Sequence, residues 1–140
     1  MIFNTTYHNE EFQELSNELL GKRFSLIQKI MMNGVGSGRF IIQELSEKLR
    51  PQQIQFSELN YANLELRPNG ILVHFTNRLE RYAWIIPYYK LVVFSDVFFS
   101  IHADGHFIKI RKNKNYEENK SFVHKMLYFK NKVVNQLYDR

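Results

Sequence analysis

The chain has 140 residues, of which 44% are apolar and 15% aromatic, and it has no cysteine. Twelve Phe and eight Tyr exclude the aromatic-poor composition of intrinsic disorder, and the lack of Cys excludes disulfides, thiol catalysis and thiolate zinc sites. The length predicts one domain over residues 1–140, and the formal charge of +5 is divided as −2 over residues 1–66 and +7 over residues 67–140.

Met1 to Thr5 lacks a basic start and the residues after it are polar, so no secretory signal is read and a cytoplasmic location is the expectation. From Asn9 the apolar residues Phe12, Leu15, Leu19, Leu20, Phe24, Ile27, Ile30 and Met31 recur at helical steps, with Glu10, Glu11 and Glu14 at the start. Asn9 is the expected N-cap, and Gly21 interrupts the pattern, so one long or two short helices fit. Asn33 to Gly38 is a loop. Phe40, Ile41, Leu45 and Leu49 then predict an amphipathic helix from Arg39 to Leu49, ending before Pro51, so residues 1–50 read as a helical segment.

From residue 58 to residue 112 the period becomes two, the mark of strands. With Asn69-Gly70 as the turn, Leu66 pairs with Val73, Leu64 with Phe75 and Glu65 with His74. With Asp104-Gly105 as the second turn, Ala103 pairs with His106, Ile101 with Ile108 and Phe99 with Ile110. Between the hairpins both parities are apolar from Tyr82 onward, predicting a strand covered on both faces, and Pro87 marks a bend, bulge or edge. Residues 117–139 read as a long amphipathic helix, with Asn115 and Glu118 as a capping box. The expected fold is α+β: N-terminal helices, an antiparallel meander of five or six strands and a C-terminal helix. The longest nearly apolar run, Tyr82 to Phe94, contains Pro87 and Lys90 and falls short of the ~20 residues a membrane span needs, so no transmembrane segment is expected.

The order from Asn69 to Leu127 is a hairpin, the segment Trp84-Ile85-Ile86-Pro87-Tyr88-Tyr89-Lys90-Leu91, the strands Phe99-Ser100-Ile101-His102 and Phe107-Ile108-Lys109-Ile110, and a closing helix. This resembles uncharacterised bacterial proteins with a pleckstrin-homology-like split barrel, a partly open barrel of seven strands plugged by its C-terminal helix. The resemblance covers residues 69–127 and implies a binding or scaffolding module with no shared catalytic residue.

The chemistry-bearing patterns point the same way. Gly34-Val35-Gly36-Ser37-Gly38 has neither a preceding strand nor a glycine at Arg39, and lacks the terminal Gly-Lys-Ser/Thr of a phosphate loop, so it reads as a connector. His8, His74, His102, His106 and His124 are too dispersed for a metal motif, with only His74 and His102 able to share a polar face. No Gly-x-Ser-x-Gly elbow is present, and the Glu10-Glu11 and Glu117-Glu118 pairs suit helix starts. No catalytic residue, cofactor or metal is expected.

Two surfaces remain as candidates. Tyr82, Trp84, Ile86 and Tyr88 fall on one side of the central strands, either as core or as an aromatic interface for a protein partner or a second copy. Residues 109–132 carry a net +6, and Lys109, Arg111, Lys112, Lys114, Lys120 and Lys125 there form a candidate anion-binding surface. The expected function is a non-enzymatic binding or scaffold module acting by protein–protein or self-association. The alternative is sequence-tolerant binding of nucleic acid or an anionic surface by the basic C-terminal part.

Overall fold

The computed structural model describes residues 1–49, 60–77 and 79–138, so the expected start of the sheet at residue 58 and end of the last helix at residue 139 lie outside the described residues. The elements are β1 (Ile2–Asn4), α1 (Glu10–Leu20), α2 (Leu26–Met31), β2 (Phe40–Leu45), β3 (Tyr61–Arg67), β4 (Gly70–Asn77), β5 (Glu80–Pro87), β6 (Val92–Ser95), β7 (Phe98–Ala103), β8 (His106–Arg111), α3 (Lys114–Glu118) and α4 (Lys120–Tyr138). The eight strands form one sheet in the order β1-β5-β4-β3-β2-β8-β7-β6, with every neighbouring pair antiparallel. Among the described residues β1 and β6 each pair on one side alone, so the sheet is not a closed barrel.

Eight strands replace the expected five or six because β1 and β2 come from the segment read as helical. Arg39–Leu49 is not a helix. Phe40 and Ile42 are buried on one parity and Leu45 on the other, because the pairing of β2 with β8 shifts between Ile42 and Glu44. A bulge makes a strand skip one residue, and the resulting step from Ile42 to Leu45 imitates helical spacing.

The Asp104-Gly105 hairpin has the expected register, with Ala103 opposite His106 and Phe99 opposite Ile110. The first hairpin turns one residue earlier than expected, at Pro68-Asn69, so Leu66 pairs with Ile71, Leu64 with Val73 and Asn63 with His74. The slip keeps the same residues inside, since partners move by two. Gly70 then opens β4 instead of completing the turn, and a Cβ there would stand 2.3 Å from the Ile86 carbonyl and 2.5 Å from Leu20.

Two cores lie on opposite faces. The larger joins Phe40, Leu64, Val73, Trp84, Ile86, Tyr88, Phe99, Ile108 and Ile110 with Tyr116 of α3 and Phe122, Val123 and Met126 of α4. The smaller packs Phe12 and Leu20 of α1 on Leu72, Ala83 and Ile85. Both parities of β5 are therefore covered. Pro87 ends this strand before a short 3-10 turn, Tyr88–Lys90. The C-terminal helix begins in two pieces, and its cap is Asn113, which accepts from the Tyr116 amide, in place of the expected Asn115.

The Asn9 side chain caps α1 by accepting from the Phe12 amide, and Gly21 ends it at φ 82°. Arg67, almost wholly buried, holds that end: Nη2 donates to Asn17 Oδ1 at 2.7 Å and to the Gly21 carbonyl at 2.8 Å, while Nη1 meets Glu65 at 3.2 Å. Removing such a buried, fully partnered cation strands its acceptors. Arg67→Ala should lower unfolding stability by about 3 kcal/mol in urea titration. Gly70→Ala should be at least as damaging, because the colliding atom is backbone; a variant with an unchanged urea midpoint would refute the close approach.

Candidate functional site

Tyr82, Trp84 and Ile86 share one side of β5 and Tyr88 follows in the 3-10 turn, and all four are buried in the larger core. They form no surface of this chain. Tyr82 stacks on Phe75 with centroids 5.4 Å apart and donates from its hydroxyl to Glu80 at 2.6 Å, while the Tyr88 hydroxyl donates to the Arg67 carbonyl. The side was roofed by α4 and the opposing strands, not by the N-terminal helices. Those instead cover the Ala83 and Ile85 side.

The six candidate anion-binding cations are largely engaged within the fold. Lys109 pairs with Glu44 at 3.3 Å, Lys114 with Glu118 at 4.0 Å and Lys120 with Glu117 at 2.8 Å. Arg111 donates to Gln43 Oε1, and Lys112 lies 5.8 Å from the Tyr116 ring centre. Lys125 has turned inward: its Nζ donates to the Met32 carbonyl at 2.7 Å and the Gly34 carbonyl at 2.8 Å. It thus holds the carbonyls at the end of α2, where a cation complements the helix dipole.

The histidines are not gathered. His74 sits on β4 opposite Asn63, whereas His102 packs against Phe94 and Phe107 on the other wing and bonds Ser100 Oγ at 3.0 Å. Among the described residues no group of three His, Cys, Asp or Glu could hold a metal ion. The glycine-rich connector lies along β3, where Ser37 N donates to the Leu64 carbonyl, Leu64 N to Ser37 Oγ, and Leu66 N to the Val35 carbonyl. Its Ser37 amide serves the sheet, while its Gly34 and Gly38 amides donate to the Lys29 carbonyl and to Asn119 Oδ1.

The surface that sequence periodicity missed is α2. Ile27, Ile30 and Met31 recur at helical steps, yet Leu26, Ile27, Ile30 and Met31 are 74%, 71%, 68% and 80% exposed, and no residue of α2 is buried. Positions i, i+1, i+4 and i+5 fall on one arc of a helix, so these four make one apolar face. The helix is held in this position from both ends. Phe24 before it and Met32 after it pack on the larger core, Ser25 and Gln28 form a reciprocal capping box, and Lys125 secures the C-terminus. From Leu19 to Gly38 the chain has Lys22, Arg23 and Lys29 and no acid.

A second uncovered feature is the β6 edge. Val92, Phe94 and the following Val97 are 46%, 56% and 73% exposed, and Val92-Val93-Phe94-Ser95 contains no charge and no proline to discourage pairing. Among the described residues no helix is long and apolar enough to cross a membrane. Compared with protein-family models, with curated proteins and with solved structures, the chain matches none.

If Lys125 anchors α2, Lys125→Ala should lower stability by about 1–2 kcal/mol and speed amide exchange across residues 29–34. Exchange unchanged there would mean that the lysine is a free surface cation.

Proposed function

We propose that the chain is a non-enzymatic binding module of the pleckstrin-homology-like type that docks on an anionic lipid surface through α2. Support for the fold reading comes from strand order: β2–β5 and β6–β8 are two meanders joined by β2–β8 pairing, seven strands with a helix after the last, and Ile86-Pro87-Tyr88 precedes the second group. β1, α1 and α2 are additions ahead of that unit.

The observation that carries the docking reading is the apolar face of Leu26, Ile27, Ile30 and Met31, held outward beside Lys22, Arg23 and Lys29. Apolar side chains entering the acyl boundary while cations meet anionic head groups is the energetic pattern of interfacial helices. A protein partner is favoured less. Four side chains fall short of the ~800 Å² per partner that a stable interface buries. A second copy would bring the same cations face to face, whereas a bilayer supplies apolar depth and negative charge together.

The test is co-sedimentation with phosphatidylcholine vesicles with and without phosphatidylserine. The protein should pellet with the anionic vesicles, less so as salt rises. A Leu26→Ser/Ile30→Ser variant should bind more than about tenfold more weakly with an unchanged circular dichroism spectrum. No binding by the natural chain, equal binding to neutral vesicles, or a variant that binds normally would each overturn the reading, and dimerisation lost in the same variant would transfer α2 to a protein interface.

The β6 edge favours a second reading, self-association. An antiparallel strand edge pairs with a copy of itself about a two-fold axis, so Val92–Ser95 needs no other partner. Sedimentation should then show a dimer that Phe94→Lys dissociates; a natural chain that stays monomeric at high concentration removes this reading.

A further inference from the structure

The outer face of β3–β5 is covered by α1 only at the Leu72 and Ile85 end. Beyond α1 the same face becomes polar. Asn63 lies opposite His74, Thr76 opposite Arg81, and the Tyr61 amide donates to Thr76 Oγ1 at 3.0 Å. Arg39 enters from the residue before β2 and places its guanidinium 5.5 Å from the centre of the Tyr61 ring. With Thr5 at one rim, these side chains border an open concavity of about 420 Å³, which Ala62, Phe75 and Tyr82, otherwise buried in the larger core, also line.

Polar outer faces are common in antiparallel sheets, and their charge is usually mixed. This one is concave and its charge is of one sign. Two guanidiniums and an imidazole line it, no acid does, and among the described residues neither Arg39 nor Arg81 has a carboxylate within ion-pairing distance. The volume falls in the ~300–1,000 Å³ range of small-molecule sites. Planar guanidinium forks match carboxylate and phosphate oxygens, and Asn63, Thr76 and Tyr61 add neutral polar contacts beside an aromatic ring.

We infer that this groove binds a small organic anion, its carboxylate or phosphate group held between Arg39 and Arg81 with His74 beside it and its apolar part against Tyr61. The groove shares no lining residue with α2, although Arg23 of the α2 flank lies near enough to act on His74. His74 reports occupancy. Burial lowers its pKa and Arg23 and Arg67 push it further down, with Glu65 alone opposing them, so an anion entering the groove raises it.

The probes are phenyl phosphate and benzoate, with benzyl alcohol as the uncharged control, followed by amide and imidazole NMR of the full chain. The expected result is saturable shifts at Tyr61, Asn63, His74 and Thr76, an upward move of the His74 titration and no response to benzyl alcohol. The stronger of the two anions identifies the head group. Arg39→Ala and Arg81→Ala should each weaken binding by roughly tenfold or more, and Arg39→Lys should recover only part of it. Both arginines have exposed side chains, so these variants should keep the fold and the vesicle binding of the natural chain, which separates failure here from failure of α2. Shifts spread over the basic C-terminal helix, equal response to benzyl alcohol, or full affinity in Arg39→Ala and Arg81→Ala would overturn the assignment.

Discussion

Strand β5 is apolar on both parities, and that constraint organises the chain. A strand with Tyr82, Trp84 and Ile86 on one side and Ala83 and Ile85 on the other cannot lie at a surface without exposing one set. The solution is two layers. α4, α3 and the β6–β8 wing enclose the aromatic side, and α1 is laid over the small side. Within that layer the Trp84 Nε1 has no hydrogen-bond partner among the described residues, and its ring meets His106 edge-on at 6.1 Å.

Covering the small side of β5 fixes where the next segment can go. α1 must end where Leu20 reaches Gly70, and Arg67 fastens that end by filling the open carbonyl of Gly21. Gly21, at φ 82° and against Pro68, turns the chain away from the sheet. Residues 22–38 then run along the margin of the larger core, which Phe24, Met32 and Val35 reach, held by the pairing of Val35 to Ser37 with β3, by Lys125 on the Met32 and Gly34 carbonyls and by the Asn119 side chain on the Gly38 amide. The outward position of α2 follows from that path and from its anchors. It is a consequence of roofing β5 with the helix that precedes it.

Much of this order was legible in the sequence. The apolar alternation around Asp104-Gly105 fixes a register without ambiguity, because Gly105 has the positive φ that the turn requires. Asn69-Gly70 misled in the turn but not in the faces, since the demand on Gly70 is closeness to Ile86 and Leu20, a tertiary fact. Phe40 to Leu45 misled in type, because a bulge writes a three-residue step into a strand. For α2 the local reading was correct as a helix and wrong in its environment: helical periodicity marks an apolar face, and says nothing of what covers it. The groove was invisible for a related reason, since Arg39, Asn63, His74 and Arg81 are separated along the chain and meet only through strand pairing.

Charge shows the same limit from the other side. The C-terminal part has the larger positive sum, yet Lys109, Arg111, Lys114, Lys120 and Lys125 are met by Glu44, Gln43, Glu118, Glu117 and the carbonyls behind α2. Exposed pairs of this kind contribute little to stability, but they lower the local field that would attract an anion. The N-terminal part sums to −2, yet its acids cluster in α1 and in residues 44–65, leaving Lys22, Arg23, Lys29 and Arg39 with no acid among residues 19–43. An anionic partner responds to the potential where it arrives, not to the sum over half a chain. On that criterion the α2 flank and the Arg39–Arg81 groove, both in or beside the nominally acidic half, are better placed to receive negative charge than the basic tail.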